Sequence, residues 1–428
     1  MKTLTTLLYC LSLTIVNPWG LSRGAIWTQP KVLVILVIIG LNLSLVWEKK
    51  STLQLSRHWK ILASLWGIFL TITLLFSTLL SPYPPYSFWG QNQMGDGWIY
   101  WLIVAVFSLS NILVLKHYPE LLRPQIKGLL LGGIIVALSV FPQVIDWRID
   151  YTATMGQLIR DNLLESTIFK NQQPIGLYSH RGHAGFVLAA VSSLLLVVWQ
   201  WRWLKSSKLI VALSITLLAL LFTQNRASLI ALLLATIFLL GQKYKRLLII
   251  ATLVCLFVVG IATTTRQLEG LPTIKQITSD RIKLWQDSLS GISQRPVFGW
   301  GFDGYGSAYA YLRQPEKVER MERVGDFRIE YFTNKGQFRT VALPTAKTHN
   351  LILDTLLSVG FIGLSIYATI WFYSLILLSK SSLSRVSILA YTYLIFTLFW
   401  FECAQYSHLP WWVLSLWGIK DFELVYRK

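Results

Sequence analysis

The chain has 428 residues, 54% hydrophobic, 14% aromatic and only 14% charged, with a formal net charge of +19. Soluble domains carry about a quarter of their residues as charges, so this composition excludes an ordinary water-soluble globular protein. Apolar runs close to the ~20 residues that cross a bilayer recur along the chain. The positive charge sits in the connections between them, which disfavours nucleic-acid binding.

The runs predict an all-α polytopic membrane protein of about 12 transmembrane helices. They lie near 4–20, 31–47, 60–80, 97–115, 126–145, 183–203, 208–223, 227–241, 246–263, 349–378, 386–403 and 407–425. Met1-Lys2 ahead of the first run resembles a signal-peptide start. No small-x-small cleavage site follows, and Asn17-Pro18-Trp19-Gly20 reads as a helix end, so the run is kept as a span. With the N-terminus inside, alternate connections carry eighteen Lys and Arg, from Lys2 through Lys49, Lys116, Arg202, Lys243 and Lys380 to Lys428. The short connections on the other side hold only Arg23, Lys31 and Arg226. Cytoplasmic loops gather Lys and Arg, so both termini are expected in the cytoplasm and the two longer polar segments outside. This gives three parts: helices 1–9 over 1–263 with an outer loop about 146–182, a large outer loop over 264–348, and helices 10–12 over 349–428. Cys10, Cys255 and Cys403 fall within spans, without metal or redox spacing.

In chain order, the first polar cluster of interest is aromatic. Tyr83, Tyr86, Phe88, Trp89, Trp98, Tyr100 and Trp101 suit either stacking on sugar rings or an aromatic belt at headgroup level. His180-Arg181-Gly182-His183 puts two imidazoles at a span entrance. Without a nearby cysteine or carboxylate the HxxH spacing is a poor metal site, and Arg181 and His183 are candidates for sugar or phosphate contact instead. Thr223-Gln224-Asn225-Arg226-Ala227-Ser228 joins two spans with almost no loop. Arg226 either snorkels to the interface or binds an anion. It is retained on a side otherwise stripped of cations, which favours the anion, because a guanidinium holds phosphate oxygens bidentately and keeps its charge.

Within 264–348, Ser279-Asp280 reads as an N-cap for a helix whose Ile282, Trp285, Leu289 and Ile292 recur at helical spacing, with Gly291 as its stop. Arg281 and Trp285, four apart, share a face. Pro296 to Gly304 is a glycine-rich turn. The segment ends at Thr348-His349-Asn350, where a long apolar run begins and Asp354 lies one turn further in. His349 is thus a titratable imidazole at a membrane–water boundary, suited to general-base work. Arg226 and Arg281 on the same outer face would clamp a diphosphate beside it. An acid such as Asp354 within a span is a functional candidate that needs a basic partner.

Taken in order, these stretches resemble the O-antigen ligase / O-antigen polymerase superfamily of bacterial inner-membrane glycosyltransferases, a GT-C-like class. The resemblance rests on Leu221–Ser228, on Arg281-x3-Trp285 with Arg295-Pro296-x2-Gly299-x-Gly301, and on His349-Asn350-x2-Leu353 with Gly360-x2-Gly363. Trp89-Gly90 and Gly95-Asp96-Gly97-Trp98 are also similar to the family's first outer loop. It implies a donor glycan on undecaprenyl diphosphate, an acceptor on lipid A core, glycan or protein, membrane lipids as surroundings, and no cofactor or metal. By that likeness Arg226 and Arg281 would bind the diphosphate and His349 would activate the acceptor on the periplasmic side. Asn350, Trp285, Arg295, Gly299 and Gly301 would line the site. Ser358 stands where many relatives have glutamate, so Asp354, Glu402 or a loop residue would have to replace that carboxylate. The alternatives are an O-antigen polymerase, a protein O-oligosaccharyltransferase or, in another class, a small-anion (bicarbonate) transporter. The transporter is disfavoured by the lack of an internal repeat or paired broken helices.

Overall fold

The computed structural model describes residues 1–144, 174–240, 281–313, 318–325, 328–343, 345 and 347–419. The amino-terminal helices are α1 (Lys2–Thr14), α2 (Gln29–Glu48), α3 (Arg57–Ile72), α4 (Pro84–Trp89), α5 (Trp98–His117) and α6 (Leu122–Val144). They are followed by α7 (Arg181–Gln200), α8 (Ser206–Phe222) and α9 (Arg226–Leu240). The polar segment contributes α10 (Arg281–Gln294), α11 (Gly304–Arg313) and strands β1 (Val318–Val324), β2 (Arg328–Thr333) and β3 (Phe338–Ala342). The chain closes with α12 (Leu351–Ser379), α13 (Ser387–Thr397) and α14 (His408–Ser415).

Among the described residues, six helical stretches are long and apolar enough to cross a membrane: Gly24–Glu48, Arg57–Thr78, Trp98–His117, Pro119–Val144, Arg181–Gln200 and Leu351–Ser379. The protein is therefore a multi-pass membrane protein. The other expected spans are shorter where described: 13 residues for α1, 17 for α8, 15 for α9, 11 for α13 and 8 for α14. The run 246–263, Cys255 and most of the outer loop 146–182 lie outside the described residues. Helix α7 is the enclosed column of the bundle, 89% buried over its apolar window, and it packs on α6, α8, α9 and α13. Its sequence allows this, because Gly185, Ala189, Ala190, Ser192 and Ser193 let neighbouring backbones approach. Ser192 bonds Thr216 of α8 at 3.0 Å, and Ser193 bonds Thr392 of α13 at 3.1 Å.

The described residues are mostly helical, as expected, and add one small three-stranded antiparallel sheet in the order β1-β2-β3 in the polar segment. Its middle strand buries Ile329, Tyr331 and Thr333 and turns Arg328, Glu330 and Phe332 outward, an alternation with period two. The sheet shares a second core with Tyr86, Ile292, Trp300, Tyr305 and Leu357, so the polar segment caps one end of the bundle. Helix α10 also differs from its expected form. It runs through Gly291 to Gln294, and Leu289 is 39% exposed while Ile282, Trp285 and Ile292 are buried. Gly291 is a contact point, not a stop: its carbonyl accepts from Trp300 Nε1 at 2.8 Å. The proposed Ser279-Asp280 cap lies outside the described residues.

Helix α12 is broken at Gly360, whose φ of 67° and ψ of −174° are open to glycine alone at no steric cost. The break frees backbone groups, and the glycine-rich turn takes them up. Trp300 N–H donates to Leu357 O at 2.9 Å and Gly301 N–H to Ser358 O at 2.9 Å. In return Phe361 N–H donates to Pro296 O at 2.8 Å and Ile362 N–H to Val297 O at 3.3 Å. Non-helical backbone near a bilayer survives only where protein satisfies it. This clip also delivers Asp303 to the head of α12.

Candidate active site

Three helices begin at one place. Helices α7, α9 and α12 start at Arg181, Arg226 and Leu351, and each has a neutral side chain capping its free N–H groups. His180 Nδ1 accepts from Gly182 N–H at 3.0 Å, Asn225 Oδ1 from Ser228 N–H at 2.8 Å, and Asn350 Oδ1 from Leu353 N–H at 3.1 Å. Helix N-termini carry partial positive charge; the first turns of α7 and α9 hold no acid, whereas Asp354 lies in that of α12. The Asn350 amide also donates to Leu398 O at 3.0 Å, tying α12 to the end of α13.

Arg181 and Arg281 are half-buried and Arg226 is exposed. Arg181 is within electrostatic reach of both Arg226 and Arg281. Burial, with Arg181 alongside, holds the Arg281 guanidinium below its ordinary pKa. Among the described residues no carboxylate pairs with any of the three. Trp400 is the common wall. The Arg281 guanidinium lies 5.7 Å from its ring centroid, and the rings of His180 and His349 each lie 5.0 Å away. Only a glycine at 182 permits this approach, since a Cβ there would come within 2.5 Å of the Trp400 ring. Phe401, stacked on Trp400, meets the His349 ring at 4.9 Å and 90°.

His349 has φ of 57°, in the left-handed region. Its Nδ1 lies 3.2 Å from the Lys347 carbonyl. A carbonyl only accepts, so that contact places the proton on Nδ1 and leaves the Nε2 lone pair free. Burial and the neighbouring Arg281 push the imidazole pKa down to about 3, so the ring is neutral at working pH. Lys347 is buried among carboxylates. Its ammonium bonds Asp303, Asp96 at 2.7 Å and Asp354 at 3.3 Å. Burial opposes its charged form, yet Asp303, Asp354 and Asp96 outweigh it and hold the pKa well above the ordinary value. Burial, with Asp303 beside it, raises Asp96 well above the carboxylate range, which moves the cluster toward neutrality.

The structure thus gathers His349, Arg281 and His180 around Trp400, with Arg181 within electrostatic reach of Arg281 and Arg226 within reach of Arg181. Most of the other sequence candidates are engaged elsewhere. Asp354 meets its expected basic partner, Lys347, and accepts from Thr348 N–H at 3.3 Å; no contact joins it to the histidine. Arg295 lies 4.6 Å from the Trp300 ring centroid and donates to Leu80 O at 3.3 Å. Gly299 and Gly301 belong to the clip, with N–H groups donating to Arg295 O and Ser358 O. His183 is buried, with Nδ1 3.3 Å from Ser179 Oγ, and its ring contacts Phe401 and Tyr406. Trp285 is buried in α10. Ser358 accepts from Gly304 N–H at 3.4 Å. Among the described residues no group of His, Cys, Asp and Glu has the arrangement of a metal site. Sequence reasoning passed over Lys347, Asp303 and Trp400. Lys347 was readable as the nearest Lys or Arg to Asp354, whereas Trp400 and Asp303 gave no signal.

Residues 211–368 match the family model described as O-antigen ligase. That segment, from α8 to the middle of α12, carries Arg226, Arg281, Lys347 and His349, and over it the chain is similar to the O-antigen ligase family. No curated protein matches the chain.

Proposed function

We propose that the protein transfers a glycan from undecaprenyl diphosphate to an acceptor hydroxyl at the periplasmic face of the inner membrane, as an O-antigen ligase does. The observation that carries this reading is the Arg281 guanidinium beside an imidazole with a free Nε2, with Arg181 and Arg226 in electrostatic succession behind it and no carboxylate paired with any of the three among the described residues. A diphosphate bridging Arg181, Arg226 and Arg281 would meet charge-assisted bonds and the N-termini of α7 and α9, whose first turns hold no acid.

In the reaction, Nε2 of His349 takes the proton of the acceptor hydroxyl as its oxygen bonds to the anomeric carbon. The anomeric C–O bond to the diphosphate breaks, and the diphosphate leaves with the bonding pair. Negative charge grows on the leaving group where the arginines already stand, the arrangement that lowers a barrier most. A base at about 3 is a poor proton acceptor. Burial is the larger cause of that low value and Arg281 the second; the incoming diphosphate offsets the Arg281 charge, so donor binding moves the basicity of His349 upward when it is needed.

His349→Ala is expected to abolish glycan transfer while protein still accumulates in the membrane; wild-type product from that variant would sink the mechanism. Deleting the protein and sizing the polyprenyl-diphosphate-linked glycan that accumulates sorts the acceptor. Long chains identify a ligase, single repeats a polymerase.

A further inference from the structure

We propose that Lys347 is a positioning residue that sets the base. This rests on the reading of His349 given above and adds a second component to it. A non-glycine residue at positive φ persists only where its surroundings over-determine it, so His349 needs anchors on both sides. On one side stands Asn350, fixed as the cap of α12 and by Leu398. On the other stands Lys347, which has two distinct jobs. Its backbone carbonyl receives the imidazole Nδ1–H, and its ammonium fixes where that carbonyl lies.

The ammonium is held by three carboxylates from three separate parts of the chain: Asp96 before α5, Asp303 at the end of the glycine-rich clip, and Asp354 in α12. Side-chain exposure is 2% for Lys347 and no more than 8% for any of the three. Asp354 braces the same turn a second time through Thr348 N–H. A lysine on a flexible stem would be a loose support in water. Surrounded by three buried acceptors it has one place to be, and the carbonyl two bonds from its Cβ inherits that placement. Arg281, His180 and His183 are the charged or titratable groups within electrostatic reach of the imidazole, whereas Lys347 meets the ring through its backbone carbonyl. Lys347 therefore touches neither the arginines nor the ring's free nitrogen. It acts by keeping Nε2 aimed and in the correct tautomer.

The test compares Lys347→Met, Asp354→Asn and His349→Ala in full-length protein in lipid nanodiscs, normalised to the folded fraction. Misplacing a reacting group by about 1 Å costs roughly 10²-fold in rate. Lys347→Met is therefore expected to lower kcat by about that factor, with donor KM unchanged. The acidic limb of its kcat/KM profile should move up toward the ordinary imidazole value of about 6.5, because the ring leaves its buried seat. Asp354→Asn keeps the Thr348 contact but removes one charge, and is expected to show the same changes in milder form. It carries the test if Lys347→Met does not accumulate. A folded Lys347→Met or Asp354→Asn protein with wild-type kcat overturns the inference, and so does a loss of activity with an unmoved pH limb. If His349→Ala is inactive in that experiment, the base itself stands. If His349→Ala is active, the underlying reading falls as well.

Discussion

Gly360→Ala is the perturbation whose cost the structure defines best. The residue has φ of 67°, and a Cβ would lie 2.2 Å from Val297 O and 2.3 Å from Val297 C. Those are backbone atoms of the clip, so no side chain can swing aside. The left-handed conformation alone costs an L-residue roughly 1–2 kcal/mol. Relief requires the clip to withdraw, which loosens four backbone hydrogen bonds, those from Trp300, Gly301, Phe361 and Ile362. At about 0.5–1.5 kcal/mol net each, the total loss is on the order of 3–8 kcal/mol, with the upper end reached if the freed groups face hydrocarbon. Thermal unfolding in detergent, followed by tryptophan fluorescence, measures it; a clear fall in Tm is expected. Because the clip carries Asp303 to Lys347, transfer activity should fall in the protein that remains folded. A Gly360→Ala protein with unchanged Tm and full activity would refute the argument that the clip holds the break in α12.

Arg181→Gln and Arg281→Gln should each weaken donor binding. A hydrogen bond to a charged group is worth about 1.5–3 kcal/mol, which corresponds to roughly 10–150-fold in Kd. Titration with a polyprenyl-diphosphate analogue checks this, and unchanged affinity in both variants would remove the diphosphate clamp. The pH dependence has a definite sign. His349 is depressed to about 3 in the free protein, so the kcat/KM profile, which reports the free enzyme, should show no acidic limb at 6.5. The kcat profile should have its limb at higher pH, since bound diphosphate raises the imidazole. A kcat/KM limb at 6.5 would show that His349 is neither buried nor under the influence of Arg281. For stability, the unfolded chain binds this proton near 6.5 and the folded one only near 3. The stability present above 6.5 is thus lost as pH falls through that window, by up to about 1.4 kcal/mol per unit.

Composition by itself determined that the chain crosses a membrane several times, because apolar length and scarce charge are direct readings of the solvent a segment needs. The His349 boundary was legible for the same reason, as polar chain gives way to hydrocarbon at Leu351. Local chemistry also showed Arg226 as a cation out of place, Arg281 on one helix face with Trp285, and Pro296–Gly304 as backbone built for close approach. The strands went unread because β1 and β3 carry mostly charged or exposed residues. Their order comes from the alternation of Ile329, Tyr331 and Thr333 in β2 and from the core beneath it. Only the tertiary structure decided who partners whom. The acid at 354 answers to Lys347, and the histidine is oriented by a backbone carbonyl, which has no sequence signature. Asp96, Asp303 and Asp354 stand about 200 and 50 residues apart in succession, yet they close on one ammonium. Contacts of that range are set by how helices pack around α7 and by where the break at Gly360 receives its clip, and no local pattern encodes them.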